Sequence, residues 1–159
     1  MMRLVLVAFT AMHRERVQLN HYQLSDLTYT ASPQQVLQRV KSAANCEMIL
    51  VKNADQIVGC FCLQGAAAPC EYGGDAHHDL LLRSFSIDER YRRQHLGLTA
   101  MQLVPGYVRQ NYPEIKRVIL AVNHANVAAK QCYQQAGFRD SGRRNLGRRG
   151  EQLIYERDV

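Results

Sequence analysis

The chain has 159 residues, 47% of them hydrophobic and 21% charged, with a formal net charge of +6. That length supports one domain, residues 1–159, with a substantial core, and the composition is that of an ordinary soluble globular protein. No apolar run is long enough to span a bilayer, so a helical membrane protein is excluded. The basic balance favours anionic partners without choosing among nucleic acid, acidic membranes and phosphorylated small molecules. In chain order, "MMRLVLVAF" reads as a first strand rather than a signal peptide, because "LVLVAF" is shorter than a usual h-region and no clear cleavage site follows. The expected compartment is therefore the cytoplasm. "TAMHRERVQLNHYQL" reads as a helix capped by Thr10, and "SDLTYTAS" as a turn. "SPQQVLQRVKSAAN" reads as a second helix, with Ser32 at the cap, Pro33 at the first helical position and Val36, Leu37 and Val40 on one face.

"EMILVKN" and "QIVGCFCLQ" read as strands around the turn "NADQ", and "GAAAPCEYGGDAHHD" as a long loop. "LLLRSFSID" is a further strand. "LGLTAMQLVPGYVRQNY" is helical by period, with a kink expected at Pro105. "RVILAVN" is a strand, "NVAAKQCYQQAG" a helix between Asn126 at its cap and Gly137 past its end, and "FRDSGRRNL" with "EQLIYERDV" a terminal hairpin. This order, β-α-α-β-β-β-α-β-α-β-β, predicts an α/β (α+β) fold: a mixed, mostly antiparallel sheet of about seven strands with about four helices on both faces.

The five cysteines are irregularly spaced and expected as free thiols. "CFC" with Cys70, His77 and His78 lacks the paired C-x-x-C spacing of a zinc site, so no metal is expected, and Cys60 and Cys62 are expected to share a strand face. The arginines at 139, 143, 144, 148 and 149 mark a solvated turn or a homodimer contact. That turn holds no aromatic residue, which argues against a nucleic-acid surface.

Two stretches carry chemistry. In "DERYRRQHLGLTA", a strand hands over to a helix with Arg90, Arg92 and Arg93 beside the helix start. Unpaired N–H groups and the positive dipole end make such a junction a phosphate site, or simply a solvated basic turn. In "AVNHANVAAKQCYQQAGF", Asn126, Ala129, Tyr133, Gly137 and Phe138 follow the pattern N-x-x-A-x-x-x-Y-x-x-x-G-F. In this order and spacing the two stretches resemble the Gcn5-related N-acetyltransferase superfamily, and the element order resembles its fold over nearly the whole chain. The family's R/Q-x-x-G-x-G/A pattern falls on Arg92, His95 and Gly97, so His95 stands where the family has its first glycine. The histidine either crowds a ligand or points outward and adds a donor.

The resemblance implies acetyl-CoA as cosubstrate and an N-acetyltransferase acting on a primary amine of a small molecule. It implies that the strand at Phe85, Ser86 and Ile87 pairs with the pantetheine arm. It implies that the segment Arg92, Arg93, Gln94, His95, Leu96, Gly97 and Leu98 holds the pyrophosphate. Asn126 would touch the pantetheine, Tyr133 would sit near the sulfur as general acid, and the Ile87 N–H would stabilise an oxyanion. Glu71, Asp75 and Asp79 are loop carboxylates with no assigned role as base. Tyr29, Glu71 and Arg83 are expected at the acceptor. "QLSDLTYTAS" with "RSFSIDERY" resembles the polyamine branch, whereas Arg83, if it faces the cleft, favours a carboxylate-bearing substrate. The alternatives are a catalytically impaired CoA-binding module, motivated by His95, and a basic nucleic-acid-binding domain.

Overall fold

In the computed structural model, which describes residues 3–159, seven strands form one sheet in the order β1-β2-β3-β4-β5-β7-β6. The elements are β1 (Leu4–Ala8), α1 (His13–Asn20), α2 (Pro33–Ser42), β2 (Cys46–Asn53), β3 (Gln56–Gln64), α3 (Ala67–Cys70), β4 (Asp79–Ile87), α4 (Leu96–Asn111), β5 (Arg117–Asn123), α5 (Val127–Gln135), β6 (Arg139–Gly147) and β7 (Gly150–Asp158). All neighbours are antiparallel except β4 and β5. The expected mixed, mostly antiparallel sheet is thus observed. Among the described residues, five helices take the place of the four expected, because the loop before β4 contains the one-turn α3. The first two residues of the expected first strand lie outside the described residues.

The sheet is buried on both faces by period-two alternation. Ile49 and Val51 of β2 point with Phe61, Leu80 and Leu82 into a core closed by Leu96, Ala100, Met101, Val104 and Val108 of α4. Met48 and Leu50 point the other way, with Cys60 and Cys62, against Leu19 of α1 and Val36 of α2. Cys60 and Cys62 therefore share a face, as their spacing predicted.

Helix α2 begins as its sequence dictates. The Ser32 hydroxyl accepts from the Gln35 N–H (3.2 Å) and the Gln35 side chain accepts from the Ser32 N–H (2.8 Å), with Pro33 in the first turn. Helix α1 does not. It starts at His13 behind Met12, which makes no side-chain cap, and Thr10 instead donates its N–H and hydroxyl to Glu15 (2.9 and 3.0 Å). It also stops at Asn20, leaving residues 21–32 as an irregular segment that crosses the edge of β4. Helix α4 runs through Pro105 to Asn111 without a break in assignment.

Candidate active site at the split between β4 and β5

Strands β4 and β5 pair only from Asp79–Arg117 to Leu81–Ile119. Arg117 fastens that end: it donates Nε and Nη2 to Asp79 (3.0 and 2.7 Å) and Nη1 to Glu156 of β7 (2.9 Å). Beyond Leu81 the strands part. The cause lies in β4, where Cys62 faces Arg83 but Cys60 faces Ser86, so Ser84 and Phe85 oppose Phe61 alone. Ser84 adopts φ 58°, and such a bulge bends its strand.

A cavity of about 370 Å³ fills the split. Leu82, Phe85, Leu120 and Tyr133, which belong to the α4 side of the sheet, line one part, and Arg83 and Ala121, on the other side by strand alternation, line another. The cavity therefore passes through the sheet. Tyr29, Thr30 and Asp26 of the irregular segment close its far side, and Asn126, Ala129 and Cys132 its near side.

A second cavity, about 310 Å³, shares Phe85, Ser86 and Arg92 with the first and continues to the start of α4. Ile87, Arg93, His95, Leu96 and Gly97 line it. Asp88 is fully buried at this junction and accepts from the Gln23 N–H (3.2 Å), the Arg90 N–H (3.0 Å) and the Arg90 guanidinium (3.1 and 2.8 Å). Burial alone would raise its carboxyl, but these donors together hold it below the usual carboxylate range. Of the three crowded arginines, Arg90 is thus engaged by Asp88, and the exposed Arg92 and Arg93 border the cavity.

Helix α4 opens behind His95, whose φ of 57° and ψ of 23° are left-handed; Arg93 is left-handed too, with φ 63°. This explains the histidine at a glycine position: the backbone takes the conformation a glycine would, at a cost of about 1–2 kcal/mol for an L residue, and the exposed side chain makes no cap bond. The first helical N–H groups, at Leu96 to Leu98, have no intrahelical partner, and the first such bond to the cap is Thr99 N–H to His95 O (3.1 Å). A Cβ at Gly97 would meet Phe85, Cys132 and Ile87 at 3.7–3.8 Å, ordinary contact. The fold itself does not require that glycine, although glycine in a helix costs about 1 kcal/mol; what it preserves is space in the cavity.

The edges of β4 are not equally free. The Thr30 hydroxyl donates to Phe85 O (3.1 Å), and the Tyr22 hydroxyl donates to Ser86 O (3.0 Å). Asp88 N–H donates to Val58 O of β3 (2.8 Å). By alternation the neighbouring Ile87 N–H points to the opposite edge, the one β5 has left.

Tyr133 is buried, packed against Phe138 (ring centroids 5.8 Å apart) and Phe85 (6.4 Å). Burial first, then neighbouring Cys132, pushes its pKa well up, so the phenol keeps its proton. Asn126 caps α5 by accepting from the Ala129 N–H (3.3 Å), which leaves its NH₂ group unengaged by that bond, and it lines the cavity.

The structure thus brings together Phe85, Ser86, Ile87, Arg92, Arg93, His95, Leu96, Gly97, Asn126 and Tyr133, with Tyr29 and Arg83. Gln94 is exposed and Leu98 packs against the core; neither is a lining residue. Glu71 is exposed at the end of α3 and is not a lining residue. Asp79 is held by Arg117, and Asp75 accepts from the His77 and His78 N–H groups (2.7 and 2.9 Å), so both are structural. Cys132 lines the cavity from α5, beside Tyr133, and Ser84 and Arg39 beside them carried no sequence signal, since they depend on the β4 bulge and on packing between α2 and β4.

Against known proteins, the model of the acetyltransferase (GNAT) family matches residues 10–138. An uncharacterized N-acetyltransferase of Bacillus subtilis (strain 168), YbbJ, is 33% identical over 129 residues, covering 81% of each chain. Among solved structures, the aminoglycoside acetyltransferase AAC(6')-Ib in complex with coenzyme A superposes with a TM-score of 0.72 at 14% identity, over 98% of this chain and 95% of the other. A chimera of the Vibrio cholerae spermidine N-acetyltransferase SpeG with hSSAT gives 0.67 at 15%, over 96% and 93%. The fold is thus shared with acetyltransferases, and the chain belongs to the acetyltransferase (GNAT) family.

Proposed function

We propose that this N-acetyltransferase moves the acetyl group of acetyl-CoA to a primary amine of a small molecule, which enters from the α1–α2 side of the split sheet. The observation that carries the reading is the adjacency of the two cavities across Phe85, Ser86 and Arg92, which sets the open amides at the start of α4 beside the cavity lined by Tyr133. Arg92, Arg93 and the α4 amides suit the pyrophosphate, and the space kept at Gly97 lets backbone approach it closely. Acetyl-CoA supplies a thioester, whose acyl carbon takes the amine's lone pair as the C–S bond breaks. The Ile87 N–H donates to the carbonyl oxygen as negative charge grows there. The ammonium sheds one proton to water before attack; Tyr133, kept protonated by burial, donates its proton to the departing sulfur, and the second proton, lost from nitrogen as the amide forms, restores the phenol. Asn126 orients the arm with its free amide protons. Asp26 lines the acceptor side, and its carboxyl is held low by the Thr28 hydroxyl and N–H, so it stays ionised and attracts an ammonium group.

His95, exposed and left-handed, leaves the cradle open, which speaks against an impaired binding module. Release of free thiol from acetyl-CoA in the presence of a panel of primary amines, polyamines included, tests the reading. Amine-dependent release is expected. Acetyl-CoA binding without release for any amine would favour the impaired module.

A further inference from the structure

Arg83 lies at the acceptor end of the cavity, and its surroundings are unusual for a half-buried cation. Its Nη1 donates to the neutral Gln64 Oε1 (3.0 Å), which leaves most of its five donors unused. No carboxylate among the described residues lies within salt-bridge distance of it. A second half-buried arginine, Arg39 of α2, is close by and equally without an acid, and donates Nη1 to the Ser84 hydroxyl (2.6 Å). Burial, then the charge of Arg83, lowers the pKa of Arg39. The other ionisable groups facing the pair are the Cys46 and Cys62 thiols and the Tyr72 hydroxyl. Nearby carboxylates are engaged elsewhere: Asp79 by Arg117, and Glu156 by Arg117, Arg139 and Arg143.

Two like charges held together in partial burial are costly without an anion. The same cavity is lined by Asp26, whose carboxyl the Thr28 hydroxyl and N–H, and then the charges of Arg92 and Arg149, hold below the usual carboxylate range. We infer that the acceptor is an amino acid-like molecule, its carboxylate received by the guanidinium of Arg83 and its amine drawn toward Asp26, with Arg39 as a positioning residue behind Ser84. The planar fork of a guanidinium matches a carboxylate in two parallel bonds. A polyamine would instead bring a second ammonium against Arg83. This inference rests on the acetyl-transfer reading.

The test compares kcat/KM for glycine, β-alanine, γ-aminobutyrate and glutamate with the corresponding carboxamides, and with spermidine. The native protein is expected to prefer at least one acid over its amide by about tenfold or more, the size of one or two charged hydrogen bonds. In Arg83→Gln that ratio should fall toward one, with Arg83→Lys between. Calorimetric acetyl-CoA affinity and Tm show whether each variant is folded. Equal use of acid and amide, or preference for spermidine, overturns the inference while leaving acetyl transfer standing. Should no amine in the panel react, the CoA-loaded protein is heated with N-acetyl-β-alanine or with its carboxamide. A Tm rise with the acid alone, lost in Arg83→Gln, supports the inference, and an equal response overturns it. Failure of the native chain to bind acetyl-CoA would strike the acetyl-transfer reading itself.

Discussion

Removing a single hydroxyl isolates what Tyr133 does. Tyr133→Phe keeps the ring between Phe85 and Phe138 and deletes only the donor. We expect kcat to fall about 100-fold with acetyl-CoA affinity within about twofold, read by steady-state kinetics and calorimetry. Because burial raises the phenol above its usual pKa of about 10, it stays protonated across the neutral and mildly alkaline range, and kcat should show no loss from this group up to about pH 10. At His95 the issue is backbone. His95→Gly relieves a left-handed L residue and adds freedom to the unfolded chain, so the two effects oppose. Stability should change by no more than about 1 kcal/mol, and acetyl-CoA affinity should stay within about threefold, because the exposed imidazole adds no cap bond.

At the scale of elements, the site depends on how β4 is held at its two ends. Arg117 clamps the closed end, with its side chain 27% exposed and that of Asp79 only 3%. Arg117→Met should cost about 2–4 kcal/mol, since Asp79 is left buried and unpaired, and lower Tm by several degrees in a thermal melt. At the open end, Asp88 ties the strand to the irregular segment and the cradle. Its carboxyl is lower in the folded state, so its contribution is present above the unfolded pKa of about 3.9 and is lost as pH falls below it. Asp88→Ala should cost about 2–3 kcal/mol and flatten the acid limb of a stability profile. This layer was partly legible beforehand. The caps of α2 and α5 and the order of elements along the chain follow from local residue types, and the basic strand-to-helix junction from charge beside a helix start. The bulge at Ser84 was not, because nothing in "RSFSI" marks a serine for positive φ; it follows from the register with β3. Nor was the start of α1, where Glu15 took over the donors of Thr10.

The whole molecule carries +6, yet much of the basic hairpin is paired within the fold. Arg139 meets Glu156 and Asp158, Arg143 meets Glu156, and Arg144 meets Asp140 and Glu151. We expect no retention on double-stranded DNA at about 150 mM salt in a filter or mobility-shift assay, since binding of that kind rests on unpaired basic groups facing phosphates. Among the described residues no helix is long and apolar enough to cross a membrane. At this scale the sequence conveyed the family and the element order well, because two spaced motifs sit on consecutive elements. Part of the acceptor side was harder to read: Arg39 comes beside Arg83 and Ser84 only once α2 has packed against β4.

The central claim is that the cradle at α4 holds acetyl-CoA and that Gly97 keeps room for it. Calorimetric titration of acetyl-CoA into the native chain and into Gly97→Ala tests this most directly. We predict micromolar binding by the native chain. The alanine should weaken it by about tenfold while Tm holds or rises, since alanine is favoured in a helix by about 1 kcal/mol and its Cβ meets only ordinary contacts. Absence of binding by the native chain, or equal binding by both, would contradict the account.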